Sequence, residues 1–361
     1  MSSTTTALAT PPTMEAVGAF AQQIIGLFTG HAVTMMIHIG DRLGLYTALR
    51  DQGAMSAAEL AIRTGLQERW LLEWLRDQAA AGLIEHHGDE RFALSGAGAA
   101  VLADPSNPFY LAGFFNTLVP PSTLDRIAQA FASGVGMSYE EHGTNCACTM
   151  KRMFAPSHAL LPHFLGRVDG LVERLQAGIQ VLDVGCGVGG ALCELAKAFP
   201  NSTFTGCDAS PTAIDIARRD TAAAGLTNIT YQVLKGEALP PTPQYDLVLT
   251  LDCLHDMAFP QRTLKAIRGC IKPGGVLVIK DIRCSDRIEE NLASPFAPLF
   301  YGLSVIYCMS SALSEPGGAG LGTMGFNPVL AKAMTGTAGF TGFQQLAIEE
   351  DPFNYFYAAR P

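Results

Sequence analysis

The second half of the chain alternates short apolar runs with segments whose apolar residues recur every three or four positions. Such alternation is typical of an α/β protein with a Rossmann-like, mainly parallel sheet. The run Tyr245–Leu251 is almost wholly apolar, as in a strand that is buried on both faces. The predicted strands are 180–184, 202–206, 229–234, 245–251 and 276–281, and the predicted helices are 191–199, 211–224 and 262–270.

Two further apolar runs close the chain, at 343–348 and 355–359. The loop between them is too short to hold a crossover helix, so we expect the two strands to pair antiparallel. The predicted sheet therefore has seven strands and ends in an antiparallel hairpin.

The first hundred residues follow helical periods and then a hairpin pattern. Residues 14–50 predict two helices, and Ser56 with Glu59 predicts a capping box at the start of a third. Helix, turn, helix and hairpin together are typical of a winged helix. The predicted elements are helices 57–64 and 68–81 and strands 83–86 and 91–94.

These patterns divide the chain into four parts. We expect residues 1–13 to form a disordered tail without the segments of a signal peptide, and 14–100 to form the winged-helix domain. Residues 101–168 predict a helical segment, interrupted by prolines such as Pro156, that contributes to the substrate pocket. The sheet domain then spans 169–361.

Composition narrows the class of protein. Of 361 residues only 16% are charged, the net charge is −9, and 48% are hydrophobic. The negative charge disfavours nucleic acid and anionic membranes as partners, and so few charges suggest that some surface is covered by a second subunit. Nine cysteines without a C-x-x-C pair favour reduced thiols and a cytoplasmic protein.

The longest apolar stretch, 16–40, contains Gln22, Gln23, His31 and His38. We interpret it as too polar for a membrane span and as a helix that is buried or covered by a partner.

A glycine turn follows the first strand of the sheet domain. Gly185, Gly187 and Gly190 satisfy G-x-G-x-x-G, and Asp208 ends the next predicted strand. Such a turn lets a ligand approach the backbone and the start of a helix, but the string alone fits a nicotinamide dinucleotide or S-adenosylmethionine (SAM).

Acidic residues around this turn favour SAM. Asp183 would attract the amino group of a methionine moiety and repel a pyrophosphate. Glu237, followed by Ala238, comes after the third strand, where a carboxylate can meet an adenine amino group. Together with the closing hairpin and the Lys272-Pro273-Gly274-Gly275 turn, these residues resemble a class I SAM-dependent methyltransferase.

The resemblance extends to the N-terminal region. The layout resembles a bacterial subgroup whose winged helix serves dimerisation, and is similar to that of plant small-molecule O-methyltransferases. It implies a homodimer, SAM as the cofactor and S-adenosylhomocysteine as its product. The cofactor-binding residues it implies are Asp183, Gly185, Gly187, Gly189, Asp208, Ala209, Glu237, Ala238 and Asp252.

The same resemblance implies catalytic roles for His255 and Tyr139. His255 lies in a Leu-His-Asp segment after the fourth strand, where the plant enzymes carry a general base; Met257 replaces their Trp. The acids that orient this base have no match that we identify. Tyr139, predicted in a loop, would contact substrate or face the sulfonium. The predicted substrate-binding residues are Phe20, Tyr139, His255 and Tyr301, and no metal site is predicted, since Cys146 and Cys148 with His142 lack a fourth ligand.

Several alternatives stay open at this point. A hydroxyl or thiol acceptor must lose a proton, whereas a thioether acceptor does not, as in the enzymes that S-methylate methylthiohydroxybutyrate in dimethylsulfoniopropionate synthesis. A SAM-sensing winged-helix regulator is disfavoured because helix 68–81 has a net charge of −1. A NAD-dependent oxidoreductase is the third alternative.

Residues 317–325, rich in glycine, predict either a mobile lid or an irregular linker.

Overall fold

The computed structural model describes residues 12–116 and 119–361, so residues 1–11 of the predicted tail lie outside the described residues. The chain divides into two compact units between residues 118 and 119. The first unit holds the winged helix, the second holds the sheet, and the predicted intermediate segment 101–168 is shared between them.

The first unit has the predicted order of helices followed by a short hairpin. Its elements are α1 (Met14–Arg42), α2 (Leu45–Leu49), α3 (Ala57–Thr64), α4 (Glu68–Ala80), β1 (Glu85–His86), β2 (Phe92–Ala93) and α5 (Gly96–Leu102). Both hydrogen bonds of the Ser56–Glu59 capping box are present at the start of α3. Trp74 of α4 packs edge-to-face on Tyr46 of α2, with ring centroids 5.2 Å apart, in the core of this unit.

Helix α1 is 29 residues long and carries exposed apolar side chains along its first half. By length and composition it could cross a membrane, since an 18-residue window reaches a mean hydropathy of 1.2. Its four polar residues therefore do not exclude a span by themselves, contrary to the interpretation above. A helix covered by a partner subunit has the same composition. The exposed side chains include Phe20, Ile24, Ile25, Leu27 and Phe28.

The second unit is built on a seven-stranded sheet in the order β5-β4-β3-β6-β7-β9-β8. Its strands are β3 (Gln180–Val184), β4 (Thr203–Asp208), β5 (Ile229–Val233), β6 (Tyr245–Leu251), β7 (Ile271–Ile282), β8 (Gly342–Leu346) and β9 (Asn354–Arg360). The first five pair in parallel, and β9 pairs antiparallel with both β7 and β8. The predicted fold class is confirmed, including the closing hairpin.

Helices cover both faces of this sheet, and two buried clusters fill the layers between them. The helices are α6 (Pro121–Ser133), α7 (Tyr139–Leu165), α8 (Leu171–Ala177), α9 (Gly190–Ala198), α10 (Pro211–Ala223), α11 (Pro260–Cys270), α12 (Ile288–Leu292), α13 (Ala297–Leu303), α14 (Met309–Ala312) and α15 (Pro328–Thr337).

Helix α7 corrects two expectations. Tyr139 is its first residue rather than a loop residue, because Ser138 caps the helix and Glu141 completes a capping box. Pro156 lies inside the helix and does not end it; the one residue with non-helical backbone angles is Gly143. Packing of α7 against α9 and α10 offsets the hydrogen bond that a proline removes.

Candidate functional site

The glycine turn joins β3 to α9 at the carboxyl edge of the sheet, where open α/β sheets bind ligands. Gly185, Gly187 and Gly189 all have positive φ, at 75°, 51° and 73°. A Cβ on Gly185 would lie 2.8 Å from Cys253 Cβ, whereas one on Gly187 would meet nothing within 4 Å. The turn is therefore packed on its inner side and open at Gly187, which leaves backbone available to a ligand.

Two carboxylates flank the turn, the half-buried Asp208 and the buried Asp183. Asp208, at the end of β4, accepts the Gly187 N–H at 2.9 Å and the Ser210 N–H at 2.8 Å. Asp183 of β3 is 1% exposed, and its Oδ1 has no hydrogen-bond partner in the described residues. Burial, and secondly the charge of Asp208, raises the pKa of Asp183 to about 7. An unpartnered carboxylate beside an open turn suits a cationic ligand.

The other predicted cofactor residues differ in their surroundings. Ala209 is exposed directly after Asp208, while Glu237 is half-buried in a short 3-10 turn after β5 that also contains the exposed Ala238. Asp252 is already engaged: Lys280 and Asn354 both donate hydrogen bonds to its carboxylate. The Asp252 carboxylate therefore connects the end of β6 to β7 and β9 through these hydrogen bonds.

His255 lies on a 3-10 turn after β6 and is 3% exposed. Its Nδ1 is 2.7 Å from Oδ1 of Asp281, which is itself buried at the end of β7. Burial lowers the pKa of His255, but the charge of Asp281 and contacts with Cys308 outweigh it, so the pKa is raised well above its usual value. A histidine paired in this way can take a proton and be stabilised as an imidazolium.

Backbone contacts hold the His255 turn against its neighbours. Cys253 Sγ donates to the carbonyl oxygen of Val184 at 3.1 Å, which ties the turn to the start of the glycine loop. From the other side, the Gly322 N–H donates to the carbonyl oxygen of His255 at 3.0 Å. Residues 317–325 thus support this turn as an irregular connection between α14 and α15; a lid role stays a prediction.

Tyr139 joins His255 through Cys308. The Tyr139 hydroxyl is 3.7 Å from Cys308 Sγ. Cys308 Sγ in turn lies within 4.8 Å of a ring nitrogen of His255 and of a carboxylate oxygen of Asp256. Burial raises the pKa of Asp256 to about 7, against the opposing influence of His255 and Tyr139. The structure thus brings the two predicted catalytic side chains together.

Three members of this group are not among the predicted site residues: Asp256, Asp281 and Cys308. The sequence does indicate Asp281, because an acidic residue inside the apolar run of β7 is unusual unless it has a partner. No sequence pattern indicates Cys308, since it lies in an irregular helical turn within an apolar segment.

The two remaining predicted substrate residues stay predictions. Tyr301 is half-buried on α13. Phe20 belongs to the first unit, where it is 64% exposed on α1.

Comparisons with known proteins bear on both units. Residues 175–301, which include the glycine turn, His255 and Asp281, match the family described as "Methyltransferase domain". The chain carries a methyltransferase domain. Residues 31–104 match the "Rv2258c-like winged HTH domain".

Curated relatives match this methyltransferase domain over part of their length. The ubiquinone biosynthesis O-methyltransferase of Paracidovorax citrulli is 36% identical over 124 residues, which are 34% of this chain and 50% of the relative. That of Brucella anthropi is 36% identical over 106 residues, which are 29% and 42% of the two chains. The chain thus spans about half the length of the curated relatives it matches.

Solved structures match the chain over nearly its full length. A putative O-methyltransferase from Nostoc punctiforme has a TM-score of 0.72 at 18% identity and covers 98% of this chain and 100% of its own. Human N-acetylserotonin methyltransferase in complex with SAM has a TM-score of 0.67 at 16% identity, covering 98% and 99%. At these identities the likeness shows the fold of the two units and nothing of the reaction.

Proposed function

We propose that this protein transfers a methyl group from SAM to a hydroxyl group of a small organic acceptor. The observation that carries the proposal is the buried His255–Asp281 pair beside the glycine turn. The curated relatives that match the methyltransferase domain are named O-methyltransferases, which supports the same reaction class.

The glycine turn and its carboxylates fit SAM. When bound, SAM supplies a methyl group that is already activated on a sulfonium cation. Asp183 offers a free carboxylate oxygen to the amino group, Asp208 lies where ribose hydroxyls would meet it, and Glu237 lies after β5 on the adenine side. A pyrophosphate beside the carboxylates of Asp183 and Asp208 would be repelled, which argues against NAD.

The chemistry of the acceptor follows from the His–Asp pair. Bound SAM would supply the methyl carbon, so that a C–O bond to the acceptor would replace the C–S bond and the acceptor hydroxyl would lose its proton. His255 takes the hydroxyl proton, and Asp281 stabilises the resulting imidazolium. Tyr139 can position the acceptor oxygen next to His255.

A thioether acceptor has no proton to lose, so its methylation would not need the His255–Asp281 pair as a base. We therefore place O-methylation ahead of S-methylation of methylthiohydroxybutyrate. The regulator alternative gains no support either, since Arg69 and Arg76 of α4 are paired with Glu73 and Glu90. Free arginines would be needed to contact phosphates.

We further propose a cytoplasmic homodimer that forms through the exposed apolar side chains of α1, as the subgroup resemblance implies. Sedimentation of the full chain tests this part. A dimer that becomes monomeric on Phe28→Asp supports it, and a wild-type monomer contradicts it.

The reaction is tested with methyl-labelled SAM and a panel of phenols, aliphatic hydroxyls, thiols and thioether acids. We expect label on a hydroxyl acceptor, and a drop of at least about 10²-fold in rate for His255→Ala. The matched control is His163→Ala, which removes an exposed histidine of α7 and leaves the rate unchanged. Transfer to a thioether acid at an equal rate in wild type and His255→Ala would overturn the assignment.

A further inference from the structure

The proposed reaction uses His255, Asp281 and Tyr139, but it gives no task to two side chains beside them. A ring nitrogen of His255, a carboxylate oxygen of Asp256 and Cys308 Sγ all lie within 4.8 Å of one another. His255 and Cys308 are buried, and Asp256 is half-buried. Imidazole, thiol and carboxylate are therefore gathered in one place from two separate segments of the chain.

The orientation of His255 matches that of a metal-binding histidine. Its Nδ1 is occupied by Asp281 at 2.7 Å, which leaves Nε2 as the nitrogen that can bind a ligand. Histidines that bind metals almost always hold a carboxylate or carbonyl on the other ring nitrogen, because this bond fixes the ring and raises its basicity. Asp281 is 1% exposed and cannot turn away into solvent.

The donor set favours zinc and similar transition metals over cations that prefer oxygen ligands. Thiolate with imidazole excludes Mg²⁺ and Ca²⁺, which prefer oxygen ligands. Tetrahedral zinc with bonds of about 2.0 to 2.3 Å places its ligand atoms about 3.5 Å apart. Side-chain movements of about 1 Å bring these three groups to that spacing, and three protein ligands would leave the fourth position of a tetrahedral ion for water or an acceptor.

We propose that His255, Asp256 and Cys308 form a Zn²⁺ site that overlaps the proton-accepting nitrogen of His255. A bound zinc ion uses the Nε2 lone pair, so His255 can no longer accept a proton from the acceptor. Zinc is then an inhibitor that competes with the acceptor. The inhibition rests on the proposed function, whereas the binding does not.

Binding is tested with Co²⁺ as a spectroscopic probe for the zinc site, in the full-length reduced protein without SAM or acceptor. A Co²⁺–thiolate bond gives a strong near-ultraviolet charge-transfer band. We expect this band in the wild type, its loss on addition of Zn²⁺, and its absence in Cys308→Ser. Cys148→Ser is the matched control, because Cys148 is an exposed cysteine of α7 outside the cluster and its variant keeps the band.

The outcomes separate the two proposals. A band that persists in Cys308→Ser, or no band in the wild type, overturns the zinc site whatever the activity. A band that depends on Cys308, together with unchanged methyl transfer under saturating Zn²⁺, supports the site and contradicts the base role of His255. Asp256→Asn should weaken Co²⁺ binding by about 10-fold or more, and an unchanged affinity would contradict the proposed ligand set.

Discussion

The two sides of the candidate site are built in different ways. The cofactor side is a contiguous loop: Asp183, three glycines and the start of α9 lie within eight residues, and Asp208 follows on the next strand. The acceptor side is assembled from four distant segments, which supply Tyr139, His255, Asp281 and Cys308. A contiguous motif binds through its backbone conformation, whereas the distant cluster depends on the packing of the whole second unit.

The largest expected effect lies at Lys280, whose partner Asp252 directly precedes the His255 turn. Both side chains are buried as an ion pair. Lys280→Met leaves the Asp252 charge buried without its cation, so we expect a loss of about 3–5 kcal/mol in the free energy of unfolding, measured in urea. The double variant Lys280→Met/Asp252→Asn should recover most of it. A loss below about 1 kcal/mol in the single variant would show that the pair is not what holds this turn.

On the acceptor side, Asp281→Asn tests the base. We expect a fall of about 10²-fold in kcat with SAM affinity unchanged. The neutral imidazole is the active form, so the rate rises with pH through the pKa of His255. Because Asp281 raises that pKa, the acidic limb of the profile should move to lower pH in the variant. Asp286→Asn, which changes an exposed residue after the same strand, is the control. If the acidic limb of the pH–rate profile does not move in Asp281→Asn, then Asp281 does not set the pKa of the base.

On the cofactor side, alanine substitutions should separate the packed and the open parts of the turn. Gly185→Ala combines a positive φ with contact against Cys253, and we expect it to cost about 2 kcal/mol in stability. Gly187→Ala has the same backbone strain but free space, and should cost about 1 kcal/mol. Thermal unfolding measures both. Equal losses of stability in the two variants would mean that the contact with Cys253 adds no measurable cost at Gly185.

The smallest effect concerns Asp183. Its pKa is raised to about 7, and a bound cation favours the ionised form. SAM affinity should therefore weaken as the pH falls below 7, by up to about tenfold per pH unit. Calorimetry between pH 6 and 8 measures this, and Asp183→Asn should bind more weakly with no such slope. Asp215→Asn, a change of an exposed residue, should keep the wild-type slope. If the SAM affinity of the wild type does not change with pH, Asp183 does not bind the cofactor in its ionised form.

The same contrast explains what the sequence could predict. Strands such as Tyr245–Leu251, the capping box of α3 and the glycine turn depend on neighbours in the chain, and these predictions are confirmed. The prediction that Tyr139 lies in a loop is wrong, because the Ser138–Glu141 capping box starts a helix at Tyr139. The engagement of Asp252 by Lys280, and the place of Cys308 beside His255, depend on three-dimensional packing that no local pattern records.

The proposed reaction requires that the glycine turn and its two carboxylates bind SAM. Calorimetric titration of the wild-type protein with SAM, and separately with NADH, measures this binding. We expect saturable binding of one SAM per chain and no heat from NADH. Saturable binding of NADH with no heat from SAM would contradict it.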